Sequence, residues 1–238
     1  FDVNSVLWVK QAFEVKLYAC AADYIRLYAV YLHGGIYLDM DMEVVKPFDE
    51  LLKKDLMLAY ENHLGRNVEA GCFGAEANHP YIKECMDYFE QTAFFKPELL
   101  PKILELPRTK QHRFIDPMIL PEVMKNAAEK YFPAGEEPFY PPDYFTAKNV
   151  MTGKIEATEN TFTIHHFASH YHSEEWRNNR NAEQKIRAAF GEKTILTRCL
   201  VGLLSAKGRI KHYGLFTTLR YYIDRFVLRK TTWKALDI

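Results

Sequence analysis

The sequence lacks several features that would define its class at once. None of its 238 residues lie in a run of about 18 uncharged apolar residues, so we expect no membrane-spanning helix. The four cysteines (Cys20, Cys72, Cys85 and Cys199) form neither a CxxC pair nor a dense framework. This favours reduced thiols over a secreted disulfide scaffold. We therefore expect a cytoplasmic protein, or one peripheral on the cytoplasmic face of a membrane. The first residues show no signal-peptide pattern.

The composition is that of a folded chain. Hydrophobic residues make up 48% of the sequence and aromatic residues 14%, which suffices for a substantial core and argues against disorder. The length suits one large domain, or a domain with an appended helical piece. Internal repeats and low-complexity linkers are absent from the sequence.

The most informative stretch is a predicted helix that leads into a strand with acidic residues at its end. Apolar residues recur near a 3.6-residue period over 13–32, which predicts the helix, and the glycine pair at 34–35 ends it. A short β-prone run at 36–38 leads straight into Asp39 and Asp41. Ligands of open α/β sheets bind at such strand ends, so we expect a site here.

The remaining elements are predicted from the same periodicities. Strands are expected at 44–48, 56–60 and 161–167, and helices at 80–95, 121–131 and 173–190. The proline- and aromatic-rich stretch 139–145 is expected to be an ordered loop. Residues 193–230 are expected to form two amphipathic helices, broken near Gly208 and Gly214.

The stretch 193–230 is also strongly basic. It contains nine basic residues and a single acid, Asp224, which leaves it with a net charge of +8 in a chain of zero net charge. Two interpretations remain open. Either the apolar faces of the helices pack on the rest of the fold, or the helices lie on an anionic membrane surface.

Asp39 and Asp41 are candidate ligands of a divalent cation. Two carboxylates at positions i and i+2 can converge on one ion where the chain turns, and Mg²⁺ or Mn²⁺ typically takes one or two protein carboxylates plus phosphate oxygens. The alternative is a solvated strand end without an ion.

Two further pairs are candidates for the same site. Asp23 and Arg26 share a helix face, either as an ordinary surface ion pair or as a rim where arginine binds hydroxyl or phosphate oxygens. His165 and His166 are adjacent on a predicted strand and so point to opposite faces. At most one of them should reach a metal, and a structural role is the alternative.

The strings ADYIR at 22–26 and YLHGGIYLDMD at 31–41 closely resemble the DXD glycosyltransferases of family 32, the capsular-polysaccharide and yeast initiating-mannosyltransferase group. The same Asp-x-x-Arg and DXD arrangement occurs in the catalytic domain of the large clostridial glucosylating toxins. Residues 140–145 and 163–167 are similar to later landmarks of the bacterial members. The resemblance covers roughly residues 10–190.

The resemblance implies a GT-A fold, in which a Rossmann-like nucleotide-binding sheet is flanked by helices. Residues 1–191 would form this catalytic domain, and we expect the family's opening strand and its tryptophan-containing turn to precede Phe1. Residues 192–238 would form a basic amphipathic helical extension.

The resemblance also implies roles for individual residues. Asp39 and Asp41 match the DXD motif and would hold Mn²⁺ or Mg²⁺, with Asp41 as the direct ligand. His165 would be the third metal ligand, with His166 as the fallback. Arg26, together with the two aspartates, would act in catalysis.

The implied donor site is wider than the metal site. Its expected members are the Asp-x-x-Arg pair, the first aspartate of the motif and three further residues: Asp23, Arg26, Gly35, Tyr37, Asp39 and Ser169. The family's Ser-Trp pair corresponds to Ser169 and His170 here, so the tryptophan is absent from that position.

The implied reaction is the transfer of a hexose, with retention of anomeric configuration, from a UDP- or GDP-sugar. The acceptor would be a hydroxyl of a glycan or lipid-linked saccharide, as in bacterial capsule biosynthesis, and no nucleic-acid partner is expected. One alternative is a haloacid-dehalogenase-like phosphatase, although its Asp-x-Asp motif usually continues to Thr or Val where this chain has Glu43. The other is a non-catalytic module that binds nucleotide sugars.

Overall fold

The computed structural model describes residues 1–61, 67–106, 118–133, 138–168 and 174–213, and the single positions 111, 115, 136 and 215. Contacts divide this part of the chain into two units. The first contains residues 1–149 and 155–168, and the second contains residues 150–154 and the described residues from 174 onward. The domain boundary predicted after residue 191 stays a prediction.

The first unit is a mixed α/β structure. Its described helices are α1 (Leu7–Glu14), α2 (Tyr18–His33), α3 (Pro80–Gln91), α4 (Leu100–Glu105) and α5 (Leu120–Tyr131), with a 3-10 turn at Pro97–Leu99. Its described strands are β1 (Gly35–Leu38), β2 (Met42–Val44), β3 (Leu56–Ala59), β4 (Cys72–Ala75), β5 (Phe139–Tyr140) and β6 (Thr163–His165).

The strands form two small sheets. Four of them lie in the order β1-β4-β3-β5, with β4 antiparallel to both of its neighbours and β5 parallel to β3. The other two, β2 and β6, pair antiparallel with Met42 opposite His165. A small mixed sheet with helices is compatible with the predicted GT-A-like fold.

The site is positioned by the connection from α2 to β1. Gly34 follows the last helical residue with φ +66°, a conformation that glycine adopts without steric cost. A Cβ at this position would also lie 2.9 Å from the backbone nitrogen of Ala77. Glycine is therefore required here both for the turn and for space, and the predicted end of the helix is confirmed.

Several predicted boundaries are wrong. The helix expected over 13–32 is two helices, because Lys16 adopts φ 59° and the backbone N–H of Leu17 donates to Ala12 at 2.8 Å. The strand expected over 44–48 ends at Val44, ahead of Pro47, which has no N–H to pair. The strand expected over 161–167 ends before Phe167, whose φ of 50° cannot continue an extended strand.

Most of the other predicted elements are present in the structure. The strand expected over 56–60 and the helices expected over 80–95, 121–131 and 173–190 all occur, with ends shifted by up to four residues. The expected loop over 139–145 contains the two-residue strand β5, which pairs with β3 through Leu58 opposite Phe139.

The central strands separate two apolar clusters. Successive residues of a strand point to opposite faces. Leu56 and Leu58 of β3 therefore join the larger cluster, together with residues from the helices, whereas Met57 and Ala59 join a smaller cluster that includes Phe162. With apolar packing on both faces, β3 is buried along its whole length.

The second unit is helical where it is described. Helix α6 (Glu174–Phe190) packs against α7 (Ile195–Tyr213), and Lys211 Nζ lies 2.8 Å from Glu175 Oε1. Helix α7 continues through Gly208, so the break predicted there is wrong. Gly214 and most of the predicted second helix lie outside the described residues. No helix in the described part of the chain combines the length and the apolar character needed to cross a bilayer.

Candidate active site

The acidic pair sits on a tight turn between β1 and β2. The backbone N–H of Asp39 donates to Gly71 at 2.8 Å, and that of Met42 donates back to Asp39 at 3.1 Å. Met40, between the two aspartates, points fully into solvent. The bond from Met42 to Asp39 closes the turn locally, and the bond from Asp39 to Gly71 attaches the turn to the segment before β4.

Strand β6 brings His165 to this turn. Because His165 lies opposite Met42 in the β2–β6 pair, its ring reaches the acidic pair, with Nε2 3.6 Å from Asp41 Oδ1. One ligand atom from each of Asp39, Asp41 and His165 can be chosen so that all three lie within 4.8 Å of one another. Asp41 is held from its other side by the backbone N–H of Ala168, at 2.7 Å from Oδ2.

Helix α2 adds Arg26 and Asp23 to the same site. Arg26 Nη1 lies 3.1 Å from Asp39 Oδ1, and Nη2 lies 3.4 Å from Asp23 Oδ1. The guanidinium stands 4.7 Å from the centre of the Tyr37 ring, and the Tyr37 hydroxyl donates to Asp39 Oδ1 at 2.6 Å. The structure thus brings these four side chains together at one end of β1.

The charges of this group are strongly coupled. Burial raises the pKa of Asp23 to about 7, with Arg26 opposing the rise and Asp39 adding to it. Burial works against the charge of Arg26, but Asp23 and Asp39 outweigh it and raise its pKa. Arg26 is therefore a fixed cation between two carboxylates, which suits a site that receives a charged ligand.

A buried glutamate completes the site and was missed by the sequence reasoning. Glu69 is 1% exposed, and both of its carboxylate oxygens lie 3.0 Å from His165 Nδ1. The backbone N–H of Gly71 and the hydroxyl of Thr146 each donate to the carboxylate at 2.7 Å. Burial alone would raise the pKa of Glu69, but His165 and the donated hydrogen bonds hold it below its usual range.

One signal in the sequence pointed to Glu69. It is the only acidic residue in the stretch 68–75, which otherwise consists of apolar and small residues. A lone carboxylate in a run with the character of a buried strand needs a partner, because charged groups are almost never buried unpaired. The sequence did not indicate which residue is the partner, because His165 lies 96 positions further along the chain.

His166 is not brought to the acidic pair. Its ring lies on the opposite face of β6, where Nε2 is 2.8 Å from Glu43 Oε2. The expectation that adjacent histidines point to opposite faces is confirmed, and His165 is the one that faces the aspartates.

The remaining predicted donor-site residues have different placements. Gly35 opens β1 opposite Ala75, at the end of the strand away from Asp39. Tyr37 contacts both Arg26 and Asp39, as described above. Ser169 lies outside the described residues.

The donor set fits a divalent cation. Three oxygen or nitrogen atoms bound to one ion at about 2.1 Å lie roughly 3–4 Å apart. The candidate ligand atoms lie within 4.8 Å of one another, so the three side chains would need to close by about 1–2 Å. Gly71 leaves room beside them, since a Cβ there would lie 2.9 Å from His165 Cε1 and 3.1 Å from Asp39 Oδ2. Two carboxylates and one imidazole are ligands of divalent cations; carboxylates suit Mg²⁺ or Mn²⁺, and an imidazole suits a transition metal.

Comparison with known proteins agrees with this geometry. The profile of the family described as "glycosyltransferase sugar-binding region containing DXD motif" matches residues 1–58. That segment contains Asp23, Arg26, Asp39 and Asp41 but neither Glu69 nor His165.

Three relatives align with parts of the chain. An uncharacterized glycosyltransferase of Acanthamoeba polyphaga mimivirus is 32% identical over 102 residues, which cover 42% of this chain and 39% of the relative. A human alpha-1,4-N-acetylglucosaminyltransferase is 29% identical over 92 residues, covering 36% of this chain and 25% of the relative. Glucan organizing enzyme 1 of Cryptococcus neoformans is 49% identical over 47 residues, covering 20% and 13% respectively.

The aligned segments thus span at most 39% of the length of these relatives. No solved structure is a significant match to the chain. The profile match over residues 1–58 and the two relatives named as glycosyltransferases show that this part of the chain is similar to DXD-containing glycosyltransferases.

Proposed function

We propose that this chain is a metal-dependent glycosyltransferase of the retaining type, which moves a hexose from a nucleoside-diphosphate sugar to a hydroxyl of a glycan or lipid-linked saccharide. The convergence of Asp39, Asp41 and His165 next to the Arg26–Asp23 pair carries the proposal. Retention and the hexosyl class rest on the resemblance to family 32.

The proposed metal site consists of Asp39, Asp41 and His165, and Mn²⁺ is the favoured ion, with Mg²⁺ as the alternative. A divalent cation held by these three side chains would offset the negative charge that builds up on the leaving diphosphate. The protein's own contribution is to hold the two carboxylates, which are 29% and 24% exposed, in fixed directions on a short turn. Asp39 is fixed by Tyr37 and Arg26, and Asp41 is fixed by the N–H of Ala168.

Arg26 and Asp23 are the proposed contacts to the donor sugar. The Arg26 side chain is 11% exposed and is already bound to Asp39 and to the carbonyl of Ala70, which fixes its direction. Asp23 keeps 22% of its side-chain surface, so its carboxylate is the more accessible of the two for accepting hydrogen bonds from sugar hydroxyls. In this arrangement Arg26 orients Asp23 and balances its charge.

The donor and acceptor are proposed only by class. UDP- and GDP-sugars are the candidate donors, and the name of the human relative makes UDP-N-acetylglucosamine a reasonable first choice. The phosphatase and binding-module alternatives gain no support from the comparisons. In the structure, Asp39 is also engaged by Tyr37 and Arg26, whereas a phosphatase nucleophile must be free to attack.

A thermal-shift screen tests the proposal. The chain is melted with UDP- and GDP-sugars, with and without Mn²⁺, and Asp41→Asn serves as the matched variant. We expect one donor to raise Tm only when Mn²⁺ is present, and only in the wild type. Release of phosphate from simple esters without any nucleotide sugar would favour the phosphatase. Donor binding without hydrolysis or transfer would favour the binding module.

We also propose that the basic segment 193–230 attaches the chain to the cytoplasmic face of an anionic membrane. Within its described part, Ile195, Leu196, Leu203 and Ile210 of α7 are exposed. Basic residues near an anionic surface contribute about 1 kcal/mol each, so several of them suffice for reversible attachment.

Co-sedimentation with vesicles tests this attachment. Binding should require anionic lipid, weaken as salt is raised, and disappear on truncation after Gly191. Full-length protein that ignores anionic vesicles at low salt would assign the segment to the fold or to a dimer interface.

A further inference from the structure

The segment Glu69–Ala70–Gly71 supports the site from three directions. The carbonyl of Ala70 accepts a hydrogen bond from Arg26 Nη1 at 3.0 Å, and the carbonyl of Gly71 accepts one from the backbone N–H of Asp39 at 2.8 Å. The carboxylate of Glu69 meets His165 Nδ1 at 3.0 Å. Arg26, Asp39 and His165 come from three different parts of the fold. Because all three contact the segment 69–71, the segment sets the distances between them.

We propose that Glu69 is a positioning residue, which orients His165 so that its Nε2 lone pair faces Asp39 and Asp41 and can bind a divalent cation. This inference rests on the proposed function, because it assigns His165 to the metal site. An ionised carboxylate only accepts hydrogen bonds, so the proton of a neutral imidazole must sit on Nδ1 and the lone pair on Nε2. Carboxylates commonly orient metal-binding histidines in this way.

The surroundings of Glu69 fix the carboxylate as firmly as the carboxylate fixes the ring. Oε1 accepts from the N–H of Gly71 and Oε2 accepts from the Thr146 hydroxyl, each at 2.7 Å, so neither oxygen is free to turn away. Phe167 stacks on the His165 ring with its centroid at 3.8 Å, which restrains the ring from one face. A buried carboxylate with this many partners defines one orientation of the imidazole rather than several.

A role limited to stability would not require a charge here. Replacement of a buried ion pair by well-packed apolar residues is often neutral or stabilising, so a buried Glu–His pair is weak evidence for a purely structural function. The orientation of the His165 ring within the pair is more informative than the pair itself. Nδ1 faces Glu69, and the opposite ring nitrogen lies 3.6 Å from Asp41 Oδ1.

Titration of the full chain with Mn²⁺ alone, followed by the EPR signal of the free ion, tests the proposal. Glu69→Gln keeps the size and one acceptor of the side chain but removes its charge. We expect it to weaken Mn²⁺ affinity by about 10- to 100-fold, the range typical for residues that orient a metal ligand. His165→Ala should weaken it at least as much.

The double variant Glu69→Gln/His165→Ala separates positioning from a general structural role. If Glu69 acts only through the ring, the double variant should bind Mn²⁺ no more weakly than His165→Ala alone. Losses of affinity that multiply in the double variant would overturn the proposal. An unchanged affinity in Glu69→Gln would overturn it as well.

Gln11→Leu is the matched control for lost stability. Gln11 is 3% exposed, and its amide bonds to the backbone of Phe94 and Phe95, outside the site. Its replacement should lower Tm and leave Mn²⁺ affinity unchanged. If Glu69→Gln fails to fold, Thr146→Val removes a single bond from the carboxylate, and a smaller loss of Mn²⁺ affinity is expected. An unchanged affinity in that variant would count against the proposal.

Failure of this inference is distinguishable from failure of the proposed function. If Asp41→Asn abolishes Mn²⁺ binding but His165→Ala does not alter it, His165 is not a ligand and the role of Glu69 falls, while the metal-dependent function stands. If the wild type binds no Mn²⁺ even with UDP or GDP present, the metal role itself is wrong and both proposals fall.

Discussion

Along the β2–β6 pair, His165 and His166 are neighbours in sequence, but each meets a different carboxylate. On the inner face, His165 lies between Glu69 and Asp41, with side-chain exposures of 11%, 1% and 24%. On the outer face, His166 pairs with Glu43, and these side chains are 40% and 55% exposed. The inner and outer faces thus carry the same chemical groups in different surroundings.

The difference between the two faces shows that a histidine–carboxylate pair is not sufficient to form a site. An exposed ion pair contributes only about 0–1 kcal/mol, because water screens it and both side chains lose freedom. On the inner face, further elements converge on the same point: α2 supplies Arg26, β1 leads into Asp39, and the loop before β4 supplies Glu69. Convergence and burial, more than the histidine–carboxylate pair itself, distinguish the candidate site.

The largest difference between the faces is expected for their acidic residues. Asp41→Asn should lower the rate of donor turnover by at least ~10²-fold, the usual scale for the loss of one strong electrostatic contributor. Glu43→Gln, two positions along on the outer face, should change the rate by less than about fivefold, since an exposed pair is worth at most about 1 kcal/mol. Initial rates at saturating Mn²⁺ measure both. Equal losses would remove the distinction.

The two histidines give the next largest effect. His165→Ala should weaken Mn²⁺ affinity by about tenfold or more, because the ligand set loses its imidazole, whose supporting contacts alone are worth about 10- to 100-fold. His166→Ala should leave the affinity unchanged. Isothermal titration of Mn²⁺ in the presence of a nucleoside diphosphate measures both. A loss in His166→Ala with none in His165→Ala would reverse the assignment of the faces.

Substitution of Arg26 tests whether the inner face also binds the sugar of the donor. Arg26→Ala removes a charged hydrogen-bonding group, worth about 1.5–3 kcal/mol, so the affinity for the intact nucleotide sugar should fall by about tenfold or more. The affinity for the free nucleotide should fall less. Arg26→Lys keeps the charge without the forked geometry and serves as the control. Equal losses for the two ligands would mean that Arg26 supports the fold or contacts the phosphates.

The smallest effect is expected from two glycines that are crowded to a similar degree. A Cβ at Gly71 would meet Glu69 and His165 at 2.9 Å, and a Cβ at Gly74 would meet the carbonyl of Gly35 at 3.0 Å. Gly71→Ala and Gly74→Ala should each destabilise the fold by about 1–3 kcal/mol, as overpacking does. Only Gly71→Ala should also weaken Mn²⁺ binding, by a few-fold. Denaturant melts and Mn²⁺ titrations separate the two effects. Equal Mn²⁺ affinities in the two variants would mean that the space beside Gly71 does not matter for the metal site.

Much of the acidic turn was predictable because its determinants are local. A helix period, a glycine pair, a three-residue apolar run and two aspartates follow one another over residues 18–41, and each constrains only its near neighbours. The break near Lys16 was not predictable in this way. Its left-handed conformation lets α1 and α2 bury their apolar faces in one cluster, so the apolar period continues across the break.

The remainder of the site depends on contacts between distant parts of the chain. Strand β4 was not predicted, because Cys72–Ala75 is a short run of small and apolar residues with no alternation, buried on both faces. The pairing of Glu69 with His165 spans 96 positions and depends on β4 and β6 being placed correctly. Single-residue patterns indicate which residues could form a site, whereas the sheet decides which of them meet.

The central claim, that the inner face holds a catalytic metal, is tested most directly by chelation and add-back. Transfer or hydrolysis of the donor found in the thermal-shift screen is measured with Mn²⁺, after EDTA, and after excess Mn²⁺ is restored. We predict that turnover vanishes with EDTA and returns with Mn²⁺ in the wild type, while Asp41→Asn stays inactive throughout. Undiminished turnover in EDTA would contradict the account.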